Sequence, residues 1–497
     1  MHVKWEGSKL VINFNKKRRR ISLVLFLVLF FIGMIFMPDN YTEDDTIKIV
    51  DDKEINNYII DVVFDDDNKK IKCNQNITYV NNTGKTLDKI YMHIYPNAFM
   101  NKKFSPFEKG EMNKAYPNGF SEGYIEIKNV LNNQKKLKYN ITGDKKDVLE
   151  IVLNKKLKNG EKYSIDMKYN VKLPNCLGRF GYGSNTINIT NWFPICCVYD
   201  DKGWNLKSYM AIGDPFYSDI SNFTVNILVP SKYDIACTGS ITNEKKGDQK
   251  KLYKLQGKKV RDFAMILSDK FIINKSMCGN TSIVTYSLNE DLAVEANKIA
   301  KESIKIFNNL FGEYPYDTYS VVASDFYIGG MEYPTLVMID NTLYDDNSKF
   351  LLEYVIAHET AHQWWYSVIG NDEVDEPWLD EALTEYSTIL YFENKYGKEM
   401  SQKLIQTMEL QTENYKVENM FRSSTEFKDT SDYSLNVYTK GAVVFNEIRK
   451  EVGDKIFFET LQEYYSSYMF QNVKGTQFIE FWKSKGIDIN KIVDKCD

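Results

Sequence analysis

The chain has 497 residues, 43% hydrophobic and 26% charged, which is too long for one core and too apolar for disorder, so two to four domains are expected. The net charge is −5, but the first twenty residues carry seven Lys or Arg against one Glu, leaving about −11 on the remainder. A body this acidic excludes nucleic acid as the partner.

The N-terminus carries a targeting signal. Residues 1–20 form a basic segment ending in Lys16-Lys17-Arg18-Arg19-Arg20, and 21–37 are uncharged and almost wholly apolar. Seventeen helical residues span about 26 Å, enough for a transmembrane signal anchor with the basic segment cytoplasmic and everything after Pro38 outside. A cleaved signal peptide is the rival reading, but its basic region would be long and no small-x-small cleavage site follows. Residues 38–54 read as a linker, acidic through Glu43, Asp44, Asp45, Asp51 and Asp52.

Residues 55–272 read as an antiparallel β domain. Tyr163, Ile165, Met167, Tyr169, Val171 and Leu173 alternate with polar residues, as do Phe223, Val225, Ile227 and Val229, with turn signals such as Asn159-Gly160 between such runs. His93 falls inside a strand pattern and is expected to be structural. The seven cysteines, Cys73, Cys176, Cys196, Cys197, Cys237, Cys278 and Cys496, form no C-x-x-C pair, so neither a cysteine zinc site nor a disulfide is predicted.

The period then changes. Apolar positions from Leu292 to Leu310 repeat at helical spacing, a short strand is expected over 319–323, and the pair Gly329-Gly330 follows. Two long helices are predicted, one from about 349 to 369 stopping at Gly370, the other from Pro377 to Gly397. A catalytic domain is assigned to 273–400 and a helical C-terminal region to 401–497.

The first helix carries His358-Glu359-Thr360-Ala361-His362. Positions i and i+4 share one helical face, so both imidazoles can reach one metal, and neutral imidazole suits zinc. Glu381, eighteen residues beyond His362, lies in the first turns of the second helix, which can fold back to deliver a carboxylate. Three protein ligands leave a fourth position open, as in a catalytic rather than a structural site. Glu385, one turn further, could orient an imidazole.

This spacing is the signature of the gluzincin zinc metallopeptidases. His358-Glu-Thr-Ala-His-Gln-Trp-Trp with Trp378-Leu-Asp-Glu resembles the aminopeptidase N family. Gly329-Gly330-Met331-Glu332-Tyr333-Pro334 resembles that family's exopeptidase motif, usually Gly-Ala-Met-Glu-Asn, and Tyr438-Thr439-Lys440-Gly441-Ala442 resembles the segment carrying its catalytic tyrosine. Weaker similarities lie at Trp192-Phe193-Pro194, Gly213-Asp214-Pro215 and Val260-Arg261-Asp262-Phe263-Ala264. The resemblance implies an α+β multidomain protein: N-terminal transmembrane anchor, antiparallel β domain, thermolysin-like catalytic domain and short C-terminal helical region.

It also implies roles. One zinc ion per chain would be held by His358, His362 and Glu381; zinc polarises a scissile carbonyl and acidifies a water. Glu359 would act as general base and then acid, and Tyr438 would donate to the developing oxyanion, with Tyr433 a weaker candidate. Gly329, Gly330, Met331 and Glu332 would bind substrate, the Glu332 carboxylate taking the free α-ammonium and so making the enzyme an aminopeptidase. Tyr333 stands where the family usually has Asn. The expected partners are peptides with a free N-terminus and, through the anchor, a membrane. Two alternatives stay open: a zinc endopeptidase or related zinc hydrolase, and a non-catalytic membrane-anchored peptide-binding protein on a peptidase scaffold.

Overall fold

The computed structural model describes residues 2–6, 9–13, 54–290, 292–415 and 419–496. The chain divides into two units, Met1–Lys53 and Glu54–Asp497. In the first, His2–Glu6 and Lys9–Asn13 pair as an antiparallel hairpin. The expected anchor at 21–37 lies outside the described residues, and among those described no helix is long and apolar enough to cross a membrane.

In the second unit the period-two runs form strands. Lys162–Lys172 buries every second residue and pairs in full register with Lys70–Val80, from Lys162 opposite Val80 to Lys172 opposite Lys70. The central sheet has eight strands, and one of its pairings departs from the antiparallel expectation: Ser221–Pro230 runs parallel to Asn56–Asp65. A parallel neighbour requires a long crossover, and the more than 150 residues between these strands supply it, carrying all of one four-stranded sheet and half of another. The alternating apolar faces meet in one core, where Tyr58, Phe193 and Phe223 stack and cross.

A five-stranded sheet opens the C-terminal half. Its order is Ile272–Cys278, Thr281–Ser287, Thr318–Ser324, Leu336–Asp340 and Gly330–Met331. The middle three strands run parallel, and the last pairs antiparallel to Leu336–Asp340. The segment resembling the exopeptidase motif therefore forms the sheet's edge, and Glu332 leaves directly from it. Helix Ala293–Phe311 packs its Ile299, Ile304 and Phe307 stripe into the second core.

The first site helix is shorter than predicted. It runs Lys349–Ala361, with His362 as its C-terminal cap residue, and the chain then turns through 362–370. The turn is held from outside the helix. Arg261, just after strand Lys250–Val260, donates from Nε to the carbonyls of Tyr366 at 2.7 Å and Ser367 at 3.2 Å, and from Nη2 to Val368 at 3.1 Å. A buried guanidinium thus pairs the carbonyls of the turn that follows the helix. The second site helix, Trp378–Tyr396, ends at Gly397 as expected. The C-terminal region is helical, and Lys440–Val452 crosses the second site helix closely at Gly441, where a Cβ would lie 2.3 Å from that of Ala382. Only glycine permits that approach, which explains the Lys-Gly-Ala context beside Tyr438.

Candidate metal centre and substrate subsite

The three predicted ligands converge. His358 Nε2 lies 3.5 Å, and His362 Nε2 3.2 Å, from Glu381 Oε2, an oxygen with no hydrogen-bond partner. Tetrahedral ligands at about 2.0–2.1 Å from zinc stand roughly 3.3–3.4 Å apart, so these spacings fit one ion. The pocket favours a cation. Burial pulls His358 down, yet the Glu381 and Glu385 carboxylates outweigh it and hold the imidazole near 10. Glu381 is held well below the usual carboxylate range by the two imidazoles despite its burial.

The other ring nitrogens are fixed too. His358 Nδ1 lies 2.9 Å from Glu385 Oε2, as the sequence suggested, and the Tyr354 hydroxyl donates to the other oxygen of Glu385. His362 Nδ1 sits 3.2 Å from the Trp365 carbonyl and 3.2 Å from Thr384 Oγ1. The early end of the helix matters here, because it swings that carbonyl back towards His362. Such partners set ring orientation and tautomer.

Glu359 is 6% exposed, and its Oε2 has no partner. Burial pushes its carboxyl up to about 7. Gly330 lies against it: a Cβ there would be 2.1 Å from Glu359 Oε1. Tyr438 stands on a single π-helical turn, Leu435–Thr439, a distortion frequent at functional sites. Its hydroxyl donates to Glu381 Oε1 and its ring lies 5.7 Å from that of His358. Tyr433 packs edge-on against Tyr438, and its hydroxyl has no partner.

Glu332 is 4% exposed, with Oε1 unpartnered. Gln363, directly after His362, braces its segment: Nε2 donates to the Tyr333 carbonyl at 3.2 Å, and Oε1 accepts from the Thr335 amide at 2.7 Å. Tyr333 faces the β-rich half, its hydroxyl donating to Thr190 Oγ1 at 2.7 Å and Asn191 Oδ1 at 2.9 Å. The departure from the family's Asn is therefore a brace between strand end and β sheets. Met331 is buried against Arg179, whose Nε lies 2.9 Å from its sulfur, and Gly329 adopts φ 102° at the turn into the edge strand.

Several residues here were not singled out from sequence. Arg179 pairs with Asp214, and Asp214 reaches Glu332 and Glu381. Asp380 accepts from Asn371 at 2.7 Å, and neither oxygen of Glu373 has a partner although the residue is 1% exposed. The similarity at Gly213-Asp214-Pro215 was the available signal for Asp214; Arg179, Asn371 and Glu373 carry none. His93 is structural as expected, stacked 4.7 Å from Tyr95, and the six cysteines whose side chains are described are free.

Fold and site together define a scaffold with a buried three-ligand set of metal-binding geometry. Residues 295–496 match the Peptidase family M1 domain. Among curated proteins, the chain is 28% identical over 216 residues to aminopeptidase B of Rattus norvegicus, covering 39% of this chain and 32% of that one. It is 26% identical over 221 residues to aminopeptidase N of Lactococcus lactis, covering 39% and 25%. To endoplasmic reticulum aminopeptidase 2 of Bos taurus it is 21% identical over 407 residues, covering 72% and 40%. The chain thus matches a quarter to two fifths of these relatives' length. The fold is shared with the M1 zinc metallopeptidase of Deinococcus radiodurans, at TM-score 0.64 and 15% identity, covering 90% of this chain and 93% of that one.

Proposed function

We propose that the chain is a zinc-dependent aminopeptidase binding one zinc ion through His358, His362 and Glu381. The observation that carries this reading is the single unpartnered Glu381 oxygen facing both imidazole Nε2 atoms at 3.2 and 3.5 Å. When bound, zinc supplies Lewis-acid polarisation of the scissile carbonyl and acidifies water. Glu359, buried with an unpartnered Oε2, would accept the proton of the attacking water and return it to the leaving amine. Tyr438 turns its hydroxyl from Glu381 to the developing oxyanion. Glu332 takes the substrate α-ammonium, so the first peptide bond is the one presented to the metal. The edge strand Gly330–Met331 offers backbone groups beside it.

The relatives named aminopeptidase support this substrate class, as does a Deinococcus radiodurans M1 zinc metallopeptidase mutant whose structure holds a Tyr-Ser-Ala substrate. The test compares free and N-acetylated forms of one peptide. Cleavage of the free form alone is expected, with the preference lost in Glu332→Gln; equal cleavage of both by the wild type would mark an endopeptidase.

The basic segment and apolar run at 1–37 support a single-pass anchor with the catalytic half outside the cell. Protease added to intact cells should digest residues 54–497; their protection would reverse the orientation.

A further inference from the structure

Beside the zinc ligands lies a second converging donor set. One carboxylate oxygen each from Asp214, Glu332 and Glu381 lie within 4.8 Å of one another, and all three residues are buried. They arrive from three separate segments: the Gly213-Asp214-Pro215 loop, the end of the edge strand, and the first turn of the second site helix. Carboxylate oxygens around one divalent cation at about 2.0–2.4 Å span separations up to roughly 4.8 Å, so the set is of coordinating size. The Glu332 oxygen Oε1 is without a partner although the residue is 4% exposed, and Arg179 holds Oδ1 of Asp214 in place.

The surroundings are rich in buried carboxylates. Glu359, Glu373 and Asp380 also bury unpartnered carboxylate oxygens, while Arg179 pairs with Asp214. Buried carboxylates without counter-charge are costly. A substrate ammonium relieves that cost only while substrate is bound.

We propose that Asp214, Glu332 and Glu381 form a second divalent-cation site in the substrate-free enzyme, Glu381 bridging it to the zinc. An all-carboxylate set takes hard divalent cations and accepts Zn²⁺ as well. The second ion occupies the position the substrate ammonium takes, so excess metal inhibits competitively with peptides bearing a free N-terminus. This inference builds on the zinc and α-ammonium roles proposed above.

The probe is Zn²⁺. One-zinc full-length enzyme is equilibrated with rising Zn²⁺, and bound metal is counted after equilibrium dialysis, with and without an amino-acid amide as a free-amine competitor. Wild type should bind a second equivalent that the amide displaces. Asp214→Asn and Glu332→Gln should each weaken that equivalent at least tenfold while keeping the first, which also reports that they fold. A single equivalent in the wild type overturns the site. So does a second equivalent that persists unchanged in both variants, which marks an adventitious ion only. Wild-type enzyme that holds no zinc overturns the primary centre instead, and this one with it.

Discussion

At the scale of single residues, the proposed metal centre rests on groups outside its three ligands. His358 is oriented by Glu385, and Glu385 by Tyr354. Glu385→Gln keeps a hydrogen bond to the ring but loses the charge that makes the imidazole a better donor. Zinc affinity, read by chelator competition, should fall about 10- to 100-fold, and Tyr354→Phe should produce a smaller drop in the same direction. Unchanged affinity in both would mean that the chain of contacts does not act on the metal.

His93 illustrates the opposite case, a titratable group with no catalytic task. Burial lowers it from its ordinary 6.5 to about 4, and its Nδ1 has no partner. As pH falls the unfolded chain takes up the proton first, so folding stability should be lost between about 6.5 and 4 and level off below. Fully expressed, the loss is on the order of 3 kcal/mol. Denaturation midpoints across that window should flatten in His93→Gln; an unchanged slope would assign the acid sensitivity elsewhere.

At the scale of elements, the arrangement of the two site helices matters more than their lengths. The second was readable from end to end because Pro377 and Gly397 mark its limits locally. The first was not. Nothing in 362–370 before Gly370 breaks a helix, and Arg261, which pairs the carbonyls of the turn that follows it, stands about a hundred positions upstream. The convergence of His358 and His362 was legible because H-E-x-x-H fixes its own geometry on one helix face. Arg179, Gln363 and Glu373 were not, because a lone charge or amide has no period or spacing to distinguish it. Asp214 was marked by similarity alone, and the brace made by Tyr333 could be seen only once strand end and β sheet were packed together. Arg261→Lys loses the fork that spans five carbonyls and leaves acceptors unpaired in a buried loop. The expected cost is about 3 kcal/mol, read by chemical denaturation, together with weaker zinc binding as the Trp365 carbonyl drifts from His362. Stability within error of wild type would contradict the role given to Arg261.

At the scale of the whole molecule, the β-rich half contributes to the site as well as supporting it. Arg261 shapes the turn after the metal helix, Asn191 and Thr190 hold the end of the edge strand through Tyr333, and Asp214 brings a carboxylate against Glu332 and Glu381. Residues 54–497 form one unit, separate from the N-terminal 53. A chain shortened to this unit should therefore fold, bind zinc and turn over as the full chain does. Loss of metal on that truncation, read by elemental analysis, would show that the N-terminal segment supports the site. The central claim is that these residues build a hydrolytic metal centre with Glu359 moving the proton. Its most direct test is Glu359→Gln, assayed for bound zinc and for hydrolysis of an aminoacyl fluorogenic substrate in one preparation. The expected result is one zinc per chain with turnover reduced at least about 10²-fold. Full turnover by the zinc-loaded variant would contradict it.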